Sequence, residues 1–139
     1  MVSKPESKLW YQLKEATKKQ VYWTRIESWA LPGVPDVHGI LEGFPFWIEL
    51  KVHRLKSLNS IALSPHQINW QTQYIRNKGI VWNLVSHPSS STLNLFWGGK
   101  ALEMTDKDRK TKTKPDWSCP DGSKAEWEKM ISFIQEFRS

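Results

Sequence analysis

The stretch from Phe44 to Val52 constrains what this chain can fold into more than any other segment. Side chains alternate across a strand, so Phe46, Ile48, Leu50 and Val52 fall on one face and Trp47, Glu49, Lys51 and His53 on the other. The first set is an unbroken apolar face that needs a core beneath it. The second places a carboxylate and an ammonium one pleat repeat apart. A strand divided in this way belongs to a sheet covered on at least one side. With 139 residues, the chain can build one such domain with a real core and not two.

The flanking segments supply the cover. Residues 5–19 read as a helix, with Ser3 as cap, Pro5 in the first turn and an apolar stripe of Leu9, Trp10, Leu13 and Ala16. Residues 21–27 are β-branched and aromatic and predict a strand. Leu31-Pro32-Gly33-Val34-Pro35 is a stiff turn, residues 36–41 form a second strand, and Glu42-Gly43 turns it into the third. A polar, basic loop with His53, Arg54 and Lys56 comes next. Ser64 then caps a helix that Pro65 opens, reaching about residue 77, with Gly79 just past its end. Residues 80–85 and 92–97 predict two more strands across a Ser-rich connection at 88–91. Residues 98–122 show little apolar periodicity and read as a mobile basic loop or flap. Residues 123–137 read as an amphipathic helix, because Trp127, Met130, Ile131 and Ile134 fall at i, i+3, i+4 and i+7. The expected fold is α/β, a mixed sheet flanked by helices in the order α-β-β-β-α-β-β-α, with a core over about 5–97.

Composition narrows the partner. A formal net charge of +6 favours a polyanion, either nucleic acid or an acidic membrane surface. No stretch approaches the ~18–20 apolar residues of a spanning helix. Met1-Val2-Ser3-Lys4 lacks the apolar run of a signal peptide. Cys119 is the single cysteine, so no intrachain disulfide forms and a reducing cytoplasm is expected. The four histidines and this cysteine show no zinc-ligand spacing. A Ser or Cys nucleophile is disfavoured as well: Cys119 has no evident base, and no nucleophile elbow is present. Large aromatics usually pack first, so most of the nine tryptophans are expected in the core, with base stacking as the alternative for some.

Taken alone, Glu49-x-Lys51 is most simply an ion pair on a solvated face, because the triplet is common. Asp36 alters that reading. A hairpin about Glu42-Gly43 brings Asp36 and Glu49 to the same open end, where two carboxylates repel unless a proton, a lysine or a divalent cation offsets them. Magnesium suits a site with few carboxylates and several retained waters. Lys51 is then placed to orient or deprotonate an attacking water beside a polarised phosphoryl group, which is phosphodiester hydrolysis.

Gly33-Val34-Pro35-Asp36, Trp47-Ile48-Glu49-Leu50-Lys51 and Leu63-Ser64-Pro65-His66-Gln67, in that order, resemble the PD-(D/E)xK nuclease superfamily over residues 6–86. Within it the chain is most similar to the virus-type replication-repair nucleases (VRR-NUC) and the archaeal Holliday-junction resolvases. The resemblance implies a restriction-endonuclease-like core and Mg²⁺- or Mn²⁺-dependent endonuclease action on DNA, structure-specific on branched or single-stranded substrates. It also implies a phage-type origin, with the host cytoplasm as location. Asp36, Glu49 and the Leu50 carbonyl would ligate the metal, Lys51 would serve the attacking water, and Gln67 would stand near the site. Such families usually add one acid from the first helix. At about 100° per residue, Glu6 falls within about 60° of Leu9, Trp10 and Leu13, whereas Glu15 points elsewhere. Glu6-Ser7-Lys8-Leu9 also resembles the start of VRR-NUC members, so Glu6 is the expected catalytic and metal-binding acid, with Glu27 as second choice. Symmetric cutting of two strands would call for a homodimer.

Arg25, His53, Arg54 and Lys56 are candidate phosphate contacts, and Lys100 with Lys107, Arg109 and Lys110 is expected along a flanking duplex. The alternative for each is a solvated charge. His38 reads as structural, and His66 as within reach of substrate. Two other functions stay open on this sequence: a nucleic-acid-binding module without catalysis, and an RNA-directed nuclease on the same scaffold.

Overall fold

The computed structural model describes residues 4–26, 31–108 and 113–137. Ser3, Glu27, Arg109 and Lys110 lie outside the described residues. The chain runs α1 (Lys4–Thr17), β1 (Tyr22–Arg25), β2 (Val37–Leu41), β3 (Phe44–Val52), α2 (Pro65–Arg76), β4 (Val81–His87), β5 (Thr92–Trp97), α3 (Ala101–Thr105), β6 (Trp117–Pro120) and α4 (Lys124–Phe137). The six strands form one mixed sheet in sequence order. All neighbours are antiparallel except β3 and β4, which are parallel and joined by the α2 crossover.

Strand alternation sorts the apolar residues into two cores. Phe46, Ile48 and Leu50 of β3, Trp82 and Leu84 of β4, and Leu93 and Leu95 of β5 face one side. There they meet the α1 stripe Leu9, Trp10 and Leu13 and the α4 stripe Trp127, Met130, Ile131 and Ile134. Val85 and Phe96 face the other side and meet Ile61, Leu63, Ala101 and Met104. β4 is therefore covered on both faces, which explains its nearly continuous apolar run. The sheet thus lies between α1 with α4 on one side and α2 with α3 on the other.

The expected elements all form, within a few residues of their anticipated ends. Residues 98–122 depart from expectation. Among the described residues of this segment there are a 3₁₀ turn at Gly98–Lys100, then α3, and β6 as the sixth strand, where a loop was expected. Ala101, Met104, Thr113 and Cys119 are buried there. Pieces of three to five residues bury one or two residues each, which leaves too short a pattern for a sequence window to register. No helix among the described residues is long and apolar enough to cross a membrane.

Candidate functional site

The β2–β3 ladder ends where Val37 pairs with Ile48, so the next pair would set Asp36 opposite Glu49. Beyond that point β3 continues alone beside β4 as far as Val52. The result is a fork whose walls are the chain entering β2 and the free edge of β3. The Leu50 N–H, turned toward the fork, donates to Asp36 Oδ2 at 2.8 Å. The N–H and C=O of one strand residue project to the same side, so the Leu50 carbonyl also faces the fork.

Two features hold the Asp36 turn in place. The Ile26 N–H donates to the Asp36 carbonyl at 2.8 Å, tying the turn to the end of β1. Gly33 has φ +87° and lies against the first turn of α2, so closely that a Cβ there would fall 2.3 Å from the His66 carbonyl oxygen and 3.0 Å from the Gln67 nitrogen. The turn before Asp36 and the start of α2 are thus pressed together.

That contact brings Gln67 in. Ser64 and Gln67 form a reciprocal capping box: the Gln67 N–H donates to Ser64 Oγ at 3.2 Å, and the Ser64 N–H donates to Gln67 Oε1 at 2.9 Å. With its oxygen occupied by the cap, the Gln67 amide turns Nε2 outward and donates to Glu49 Oε2 at 3.1 Å. One turn further along α2, Gln71 meets Asn83, which stands beside Glu49 in the β3–β4 register. Gln71 Nε2 donates to Asn83 Oδ1 at 2.7 Å and Asn83 Nδ2 donates back to Gln71 Oε1 at 2.8 Å. Both amides are fully buried, and Gln71 is the one buried residue of α2. Sequence reasoning found Gln67 and missed this pair. The available signal was α2 itself, a helix without an apolar stripe whose amides recur at i and i+4.

Glu49 is only 3 % exposed. Burial raises its pKa well above the usual glutamate value, the Asp36 charge and a hydrogen bond to Asp36 raise it further, and Lys51 opposes them. A proton shared between Glu49 and Asp36 would relieve the repulsion. A divalent cation would relieve it equally, and the donors suit one: two carboxylates and the Leu50 carbonyl are oxygen ligands of the kind magnesium and manganese prefer. Among the described residues no group of three or more His, Cys, Asp and Glu side chains is placed to hold a metal ion. A cation in the fork would therefore rest on Asp36, Glu49, the carbonyl and water. Glu6 is half-buried in the first turn of α1, and its charge reaches Glu49 as the weakest of the influences on that group. Its charge is thus felt at the carboxylate pair. Glu15 instead pairs with Lys18 at 3.4 Å on the surface.

The basic residues divide. Arg25 ends β1 opposite Val37, next to the fork. Lys51 is half-buried on the Glu49 face, and Arg54, Lys56 and Lys107 are exposed. His53 differs from its expected phosphate contact: it is buried and its Nε2 lies 2.8 Å from the Ser57 carbonyl. Beside it His87 has Nε2 2.7 Å from the Leu55 carbonyl, so both rings pin the loop after β3. Lys100 is likewise committed internally, to Asp116 at 3.1 Å and the Lys114 carbonyl at 2.9 Å, where it fastens the approach to β6.

Compared with known proteins, the chain matches no family model and no curated sequence. Its structure is similar to a solved structure, at 1.6 Å resolution, of a Holliday junction resolvase from the archaeal hyperthermophile Archaeoglobus fulgidus. The TM-score is 0.50 and the identity 19 %, over 68 % of this chain and 74 % of that one. At that identity the likeness shows the fold, a restriction-endonuclease-like α/β core.

Proposed function

We propose that this protein is a Mg²⁺- or Mn²⁺-dependent endonuclease that hydrolyses phosphodiester bonds in DNA, with branched DNA as the favoured substrate. One observation carries the reading: Asp36, Glu49, the Leu50 backbone and Gln67 converge on the fork between β2 and β3, where Glu49 is buried beside a second carboxylate. Burying such a pair is costly unless a proton or a cation joins it, and a purely structural role offers nothing in return. The similar fold of a Holliday junction resolvase favours branched DNA among the polyanions that the net charge of +6 already selects.

In this reading the cation supplies Lewis-acid polarisation of the scissile phosphoryl group. Asp36 and Glu49 would hold it, and Gln67 fixes the Glu49 carboxylate by donating to Oε2. Lys51, on the same face of β3, directs its ammonium at the attacking water and the developing negative charge. Arg25 beside the fork, and Arg54 and Lys56 in the loop after β3, would neutralise phosphates along the substrate. Symmetric cutting of a four-way junction would require a two-fold dimer, which sedimentation on junction DNA tests.

The main test is incubation of four-way junction, flap, plasmid and RNA substrates with Mg²⁺ or Mn²⁺. Junction and flap DNA are expected to be cut and RNA spared, and chelation with EDTA is expected to stop the reaction. Asp36→Ala and Lys51→Ala should each lower the rate by about 10²–10⁴-fold. Cleavage that persists in either variant overturns the mechanism. A second reading, a nucleic-acid-binding module without catalysis, is favoured by the lack of a third side-chain ligand among the described residues. It predicts salt-sensitive binding that Asp36→Ala leaves unchanged or improves, and no cleavage with either metal.

A further inference from the structure

Three aromatic side chains stand outside both apolar cores, on the Glu49 face of the sheet: Trp47 of β3 and Trp70 and Tyr74 of α2. Trp70 stacks on Tyr74 with centroids 4.6 Å apart and planes 18° from parallel. Trp47 meets both edge-on, at 5.4 and 6.4 Å, and donates Nε1–H to the Tyr74 hydroxyl at 3.0 Å. His38 closes the group against Trp47 at 4.8 Å. The rings are therefore fixed before any ligand arrives. Trp70 and Tyr74 line an open recess of about 480 Å³ together with Asn69, Gln73 and Asn77. These three amides are exposed and recur every four residues, forming a row along the helix.

Aromatic planes beside uncharged amides match the two surfaces of a nucleobase, its π-face and its hydrogen-bonding edge. The electrostatics agree. From Leu50 to Leu102 the sequence contains no Asp or Glu, while Lys51, Arg54, Lys56, Arg76, Lys78 and Lys100 all fall within it. Arg76 and Lys78 are exposed at the far end of the row. Position fits as well. Gln67 touches Glu49, and at about 1.5 Å per residue Trp70 and Gln73 lie roughly 4.5 and 9 Å further along the axis of α2. At about 3.4 Å per nucleotide that is roughly one to three nucleotides from a phosphate held at Glu49.

We infer that the Trp70–Tyr74 face of α2 is a docking site for an unpaired nucleobase of DNA, adjacent to the scissile phosphate. The inference rests on the nuclease reading for its substrate, yet it concerns binding and is tested without cleavage. A base stacked here must leave the duplex, so the site would select strands already unpaired at a junction or flap.

The experiment uses the full chain in EDTA with single-stranded oligonucleotides carrying 2-aminopurine, and duplexes of equal length. Stacking should quench the 2-aminopurine emission at one or two positions of the bound strand. Trp70→Ala should abolish that quenching and lower single-strand affinity by about 5- to 100-fold. Duplex affinity should stay within about twofold, since phosphate contacts are untouched. Trp70→Phe should keep most of both signals. Should Trp70→Ala fail to fold, the exposed pair Asn69→Asp with Gln73→Glu places two charges in the recess and should weaken single-strand binding selectively. Equal loss on single strands and duplexes, or no loss on either, overturns the inference. Selective binding that remains in a protein which never cleaves overturns the nuclease reading and leaves this site standing.

Discussion

Replacing Gln71 with leucine isolates what the buried amide pair contributes. The substitution removes two hydrogen bonds, of 2.7 and 2.8 Å, and leaves both polar atoms of the Asn83 side chain facing a hydrocarbon in a fully buried place. Each orphaned group costs about 1–3 kcal/mol, so the two cost about 4 kcal/mol at the middle of that range, offset by roughly 2 kcal/mol from burying the leucine, for a net loss of about 2 kcal/mol. Unfolding entropy of about 2.1 cal/mol/K per residue over 139 residues is roughly 0.3 kcal/mol/K, so Tm should fall by about 7 °C. Asn83→Leu should cost a similar amount. The double variant should return to within about 1 kcal/mol of the parent, because two apolar partners orphan nothing. Thermal and urea unfolding of the four proteins close a double-mutant cycle with a coupling of at least about 2 kcal/mol. Activity should not return with stability. Two leucines set no register between α2 and β4, so Gln67 loses its fixed approach to Glu49, and cleavage by the double variant should stay about tenfold or more below the parent. A single variant costing under about 1 kcal/mol, or a double variant no better than the sum of the singles, would refute this account of the pair.

Further outcomes can be measured on the same fork. The pKa of Glu49 is raised in the folded protein by burial and then by Asp36, so the folded state holds that proton more tightly than the unfolded one. The stabilisation is therefore full below the ordinary glutamate pKa and is lost as pH rises through the raised value, by at most about 1.4 kcal/mol per pH unit. Melting curves of the metal-free protein should show this slope, Glu49→Gln should flatten it, and Mg²⁺ at pH 8 should raise the parent's Tm and not the variant's. Equal slopes in the two proteins would count against a buried titrating carboxyl. Gly33→Ala places a methyl group 2.3 Å from the His66 carbonyl oxygen at φ +87° and should cost about 2–4 kcal/mol. Since it parts the Asp36 turn from α2, it should also weaken Mg²⁺ binding, which calorimetry reads; unchanged Mg²⁺ affinity would show that the two elements are not coupled.

The sequence determined by itself whatever depends on short-range regularity. Alternation along Phe44–Val52 set which side of β3 meets the core and which bears Glu49 and Lys51. Ser64 and Pro65 marked the start of α2 because capping chemistry is local, and the α1 and α4 stripes announced their buried faces. The turn at Glu42-Gly43 fixed the hairpin register and hence Asp36 opposite Glu49. Only tertiary structure decided the rest. It gave Gln67 a carboxylate to hold, matched Gln71 to Asn83 across 12 positions of sequence, buried His53 and set both it and Lys100 to support neighbouring loops. It also made a strand and two short helical pieces from residues 98–105 and 117–120. The reason is physical: caps, stripes and turns are chosen by neighbours within about one helical turn or one hairpin, whereas an amide, histidine or lysine takes its role from whichever polar group the packed sheet leaves within hydrogen-bond reach.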